Sequence, residues 1–217
     1  MIRRGRAEGW LKESIQGLPT WAAFHGIQFH GIKVGPLPGY EDRGSTVIAD
    51  RDLDGDTESP LMTIPKELVL SRPNIELLAK SDHHLRHLLQ ALGDFGRTTR
   101  GAILTFLLVQ ASICCPYIED VGVHTPLTEY IKYLPDELLP TFWTETELEL
   151  LEGTTLRSAT RAKMNSLLRE FEAFRAASEN IAWCAKHWWD DEDGLVCSIL
   201  PDQSTGPLFI NCGTRSR

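Results

Sequence analysis

Gly39-Tyr-Glu-Asp-Arg-Gly-Ser-Thr-Val-Ile-Ala-Asp-Arg-Asp-Leu53, leading into Pro60-Leu-Met-Thr-Ile-Pro-Lys-Glu-Leu-Val-Leu-Ser71, decides how this chain reads. The first segment is a polar, glycine-punctuated loop that runs into a β-branched stretch. The second is a short apolar run closed by proline. Val47-Ile-Ala49 and Leu61-Met-Thr-Ile64 therefore predict short strands bounded by turn chemistry. Upstream, Glu8 to Ile15 and Leu18 to Phe24 predict short helices, the second opening at Pro19-Thr20.

Downstream the texture changes at about Arg72. Asn74 to Lys80 and His83 to Leu92 predict short helices. Thr98 or Thr99 caps the next, whose Ile103, Leu104, Phe106, Leu107, Leu108 and Val109 make it apolar nearly all round, the mark of a buried helix. Thr144-Glu-Thr-Glu147 ahead of Leu148, Leu150 and Leu151 is a capping box. Met164, Leu167, Leu168, Phe171 and Phe174 recur at helical spacing and predict one long amphipathic helix through roughly Ile181. After Trp188-Trp189 come an acidic turn, Asp190-Asp-Glu-Asp-Gly194, and a stretch from Leu195 to Arg217 without a period.

Bulk composition narrows the function classes. With 217 residues, 42% hydrophobic and 24% charged, the chain has the make-up of an ordinary globular protein. A net charge of -8 argues against nucleic acid as partner, because neutralising phosphates needs a basic surface. The five cysteines are odd in number and lack CxxC spacing, which speaks against a disulfide framework or structural zinc. No apolar segment follows the basic start, and the longest apolar run, Ala102 to Cys115, is too short for a membrane span. The expected setting is cytoplasm or nucleus, with no membrane partner.

In order and spacing, these segments resemble the SET-domain protein lysine methyltransferases related to Rubisco large-subunit methyltransferase. Leu18-Pro-Thr-Trp21 to Gly26 is similar to that family's first helix. Glu41-Asp-Arg-Gly44 with Val47-Ile-Ala-Asp-Arg-Asp-Leu53 resembles its cofactor loop and following strand, and Leu61-Met-Thr-Ile-Pro65 through Leu70-Ser71 its next strand. Leu127-Thr-Glu-Tyr-Ile-Lys-Tyr-Leu-Pro135, Phe142-Trp143 and Glu147-Leu-Glu-Leu-Leu-Glu-Gly-Thr154 look like landmarks of its helical insert. The resemblance covers about Leu18 to Trp189. It implies an α+β chain, with a β-rich SET fragment over 1–71, a helical insert over 72–189 and an irregular tail over 190–217. It also implies S-adenosylmethionine as cofactor, held by Glu41, Asp42, Arg43 and Gly44, with the Glu41 and Arg43 backbones nearest its methionine end. The substrate would be a lysine side chain of a protein.

The departures matter as much. The family's tight Gly-x-Gly becomes Asp42-Arg43-Gly44, and Ser45-Thr46 look inserted before the strand. No Asn-His dipeptide occurs, and no tyrosine follows Tyr133, although the family's carboxyl half supplies both features. The chain thus reads as truncated before the catalytic half and inactive by itself, with no catalytic residue to name. A retained intron, a frameshift or an early stop would account for the loss of pattern after Gly194. Glu41 to Gly44 read equally as a plain surface turn. The alternative function is a non-catalytic helical module that binds a protein partner.

Other clusters have bland readings. His83 and His87 lie four apart on one helical face, but a third ligand at recognisable spacing is missing, so a solvated helix surface is expected and no metal. Cys114-Cys115 read as buried core thiols, and Asp190 to Asp193 as a solvated turn. Trp183, Trp188 and Trp189 suit packing against neighbouring helices better than a cage for a methylated ammonium. The acidic excess between Glu129 and Glu152 reads as a solvated face, with docking of a basic substrate as the sharper option.

Overall fold

The computed structural model describes residues 11, 13–40, 45–53, 60–116, 118–134 and 139–189. Among these the chain is mostly helical with a few short antiparallel strands, an α+β arrangement.

Helix α1, Leu18–Phe24, carries Pro19 in its first turn and stops where Gly26 takes φ +79°, a left-handed position open to glycine at low cost. Strand β1, Gln28–Phe29, is followed by β2, Ile32–Pro36, and β3, Ser45–Ala49. The short β4 is Met62–Thr63. β2 and β3 pair antiparallel from Ile32↔Ala49 to Pro36↔Ser45, while β1 pairs with β4 as a separate two-stranded sheet. Ser45 and Thr46, which looked like an insertion before the strand, instead form its first two residues. The strands are thinly covered. Val47 is 62% exposed, and Leu53, Met62 and Ile64 are exposed as well.

The helical body begins with α2, Arg72–Ser81, and α3, His83–Ala91, which meet at a single residue. Asp82 closes α2 through its N–H to the Leu78 carbonyl (3.1 Å) and opens α3 by accepting the Leu85 N–H on Oδ1 (3.0 Å). The short α4, Gly93–Arg97, leads into α5, Thr99–Ile113, capped by Thr98 Oγ1 on the Gly101 N–H at 2.9 Å. Gly101 sits where this cap presses against α4, and a Cβ there would collide with the Phe95 carbonyl oxygen. A backbone obstacle cannot swing aside as a side-chain tip can. Gly101→Ala is therefore expected to lower stability by about 2 kcal/mol, read from denaturant midpoints. An unchanged midpoint would mean that the α4–α5 corner relaxes freely.

Helix α6, Pro126–Tyr130, continues as a 3-10 turn over Ile131–Tyr133. Helix α7, Glu145–Leu148, opens on the expected capping box: Thr144 N–H donates to Glu147 Oε2 (2.8 Å), and Glu147 N–H donates to Thr144 Oγ1 (3.3 Å). The long helix α8 spans Thr155–Ser178. It stops short of Ile181 because Ser178 Oγ bonds back to the Phe174 carbonyl while the chain turns to bury Ile181. Helix α9, Ala182–Cys184, runs into a π turn over Ala185–Trp189.

The core lies within this body. Ile75, Leu85, Leu88, Phe106 and Val109 are fully buried with Phe174, Ile181, Cys184 and Trp188 closed over them. Each such side chain contributes roughly 1.5–3 kcal/mol by leaving water. α5 is less completely wrapped than its composition predicts, since Leu104 and Leu108, one turn apart, are exposed. The front of the chain meets this body through α1. Trp21 Nε1–H donates to the Pro126 carbonyl (3.2 Å), and the Trp21 ring lies 5.3 Å from Tyr130 and 6.5 Å from Tyr133.

Candidate functional site

The proposed cofactor residues Glu41, Asp42, Arg43 and Gly44 lie outside the described residues. The β2–β3 ladder runs from Ile32↔Ala49 to Pro36↔Ser45, next to them in sequence. Gly39 has φ +82° with no atom within 4 Å of where a Cβ would stand. Tyr40 follows it, exposed.

A second constellation joins α3 to the connection between α5 and α6. Asp82 is 3% exposed, and its second carboxylate oxygen accepts the Val123 N–H at 3.0 Å. Beside it, His84 Nδ1 accepts the Gly122 N–H at 3.0 Å. Gly122 holds φ +71°, and a Cβ there would stand 2.6 Å from Ile113 Cδ1, so the backbone can approach this closely only as glycine. Gln110 secures the far side: its amide donates to the Val123 carbonyl (3.2 Å), and its Oε1 accepts from both the Thr125 and Thr128 hydroxyls. Side chains of α3, its cap residue and α5 thus satisfy part-buried backbone groups of a non-helical segment, as partly desolvated polar groups require. Sequence reasoning missed this constellation. In the sequence Asp82 merely precedes the predicted helix His83 to Leu92, and Gln110 falls inside the apolar run Ala102 to Cys115.

His83 and His87 share a helical face, yet no group of three or more metal-ligating side chains forms among the described residues. The His83 and His84 rings stack at 3.8 Å, and His84 meets Trp183 edge-on at 5.4 Å. The tryptophans close the core. Trp188 is buried and donates to Ser112 Oγ (2.7 Å), while Trp189 donates to Ser178 Oγ (3.1 Å). The cation over Trp189 is the chain's own Arg175, 5.4 Å from the ring centroid.

Neither Cys114 nor Cys184 is set up as a nucleophile. Burial raises the Cys114 thiol above its ordinary value and pushes Cys184 up to about 12, and Cys114 donates to the Thr128 carbonyl. The acidic stretch is partly self-neutralised: Glu152 pairs with Arg157 and Glu129 with Lys132. A cleft between α2, α3 and α4 is lined by Lys80, Arg86 and Arg97, but Arg86 is turned onto the Ala79 and Lys80 carbonyls that end α2. No described helix is long and apolar enough to cross a membrane. No family model, curated protein or solved structure matches the chain.

Proposed function

We propose that this chain carries the front of a SET-type protein lysine methyltransferase, with the β2–β3 hairpin presenting the cofactor loop and the helical body as the accompanying insert. The observation that supports this reading most is the pairing of β2 with β3. In the sequence β2 precedes and β3 follows Glu41-Asp-Arg-Gly44, the loop-then-strand order that the resemblance implies, and the two strands pair from Ile32↔Ala49 to Pro36↔Ser45. In this reading S-adenosylmethionine, when bound, supplies an activated methyl group. The chain's part is to align it, exclude water and let a neutral lysine amine approach in line.

The same reading assigns no catalytic residue to this chain. The exposed Val47, Leu53, Met62 and Ile64, in and beside two small separate sheets, fit strands whose covering elements are not among the described residues. The contacts expected from an Asn-His segment are absent from the sequence, and each charge-assisted hydrogen bond lost costs on the order of 1.5–3 kcal/mol. The 217-residue protein alone is expected to bind S-adenosylmethionine weakly and to transfer no methyl group. Calorimetric titration with the cofactor and its demethylated product, beside a radiolabelled-methyl assay on a lysine-rich protein, tests both halves. Weak binding without turnover is the expected result, and measurable turnover would overturn the claim of inactivity.

A second reading has its own observation. The helical core is closed without help from the strands, and Leu150 stands 79% exposed beside α7. A non-catalytic helical module that docks a protein partner fits these facts. Under that reading the titration returns no heat with either ligand.

A further inference from the structure

The grip of α3 on the α5–α6 connection depends on the charge of one ring. A backbone N–H can only donate, so the Gly122 N–H···Nδ1 bond requires a lone pair on His84 Nδ1, with any ring proton on Nε2. A second proton on the ring removes that lone pair and sets two N–H groups against each other. We propose that His84 is a pH-operated latch, holding Gly122 while neutral and releasing the 118–125 connection when the imidazole is protonated. The inference rests on no part of the methyltransferase reading.

The consequences follow from what this connection holds. It leads directly into α6, whose Pro126 carbonyl and Tyr130 ring receive Trp21 of α1. Loosening Gly122 therefore frees the platform on which the front of the chain sits, while the Asp82 and Gln110 bonds to Val123 keep a second, non-titrating hold through Gln110. Release is graded, and global unfolding is not required.

The charged neighbours act in both directions. On its own helix His84 has Asp82, which favours the protonated ring, and His83 and His87, which oppose it. Arg86 lies on the same helix. The docked connection carries Glu119, Asp120 and His124, and the segment bearing Trp183 continues to Lys186 and His187. Burial is the largest influence and, with the two histidines, holds the His84 imidazole below its ordinary value of 6.5. The folded state therefore binds this proton less readily than the unfolded chain does. Nothing is lost above pH 6.5; as pH falls through that value the unfolded chain gains protons first, so the latch weakens progressively on the acid side. Burial lowers His187 in the same direction, so a global stability measurement would mix the two groups. A local measurement is needed.

Hydrogen–deuterium exchange of the full chain, corrected for intrinsic rates, compares about pH 7.5 with about pH 5, on either side of an ordinary histidine pKa. Peptides covering 118–130 are the readout and the centre of α5 is the internal reference. In the wild type, exchange in 118–130 is expected to rise about tenfold at the lower pH, the scale of one lost hydrogen bond. His84→Asn keeps an acceptor in nearly the same place and cannot titrate, so its exchange is expected to stay flat. His84→Leu removes the acceptor and is expected to exchange fast at both values, with far-UV circular dichroism confirming that it is folded. If wild-type exchange does not change with pH, or His84→Asn loosens as much as wild type, His84 is not the latch. The wild-type and Asn pair decides the matter even if the Leu variant fails to fold.

Discussion

Phe106→Ala is expected to remove about 3–5 kcal/mol of unfolding free energy, the range for truncating a fully buried aromatic ring. Phe106 is 0% exposed at the centre of the cluster formed by α2, α3, α5 and the α8–α9 segment. Its neighbours there are held by helix ends that are already bonded, so the structure has little freedom to collapse into the space left behind. Denaturant melts monitored by circular dichroism give the number. A loss under about 1 kcal/mol would mean that the core is loosely packed, and the helical body would then not be the self-sufficient unit described.

Asp82→Ala carries the next largest effect. The change deletes the cap on the buried Leu85 N–H and the anchor of the part-buried Val123 N–H together, leaving two backbone donors without their carboxylate partner. The expected loss is about 3 kcal/mol, combining a cap with an orphaned donor. Asp82→Asn retains one acceptor oxygen and turns its amide nitrogen toward the other N–H, so about half of that loss is expected. The ratio of the two is the discriminating observation. If Asn and Ala lose equally, the second hydrogen bond contributes nothing, and α3 does not hold the α5–α6 connection through this carboxylate.

Most of the helical framework was legible in the sequence because its signals are local. Pro19 starts α1 and Thr98 caps α5. The Thr144–Glu147 box opens α7. Each depends on side chains within three or four positions, and so did the apolar period of α8. The strands were partly legible. Val47 to Ala49 and Met62 to Thr63 were visible as apolar runs, whereas β2 passed unnoticed because Gly35 and Pro36 disguise an extended segment. The end of α8 falls three residues before the expected Ile181: the chain turns after Ser178, with the Ile181 N–H on the Ser178 carbonyl at 3.0 Å, and Ile181 is buried from beyond the helix. The surface of α5 was misjudged in a similar way, since composition reports how apolar a helix is but not how many neighbours cover it.

Helix starts, a body apolar enough to close a core, and a strand at Val47 could all be read from neighbouring residues along the chain. Which polar residues matter emerged from packing. His84 and Gln110 are 26 positions apart in sequence, and their meaning comes from the backbone groups of Gly122 and Val123 that each one meets. Hydrogen bonds across that separation form only after the helices have packed, because packing removes the water that otherwise satisfies them.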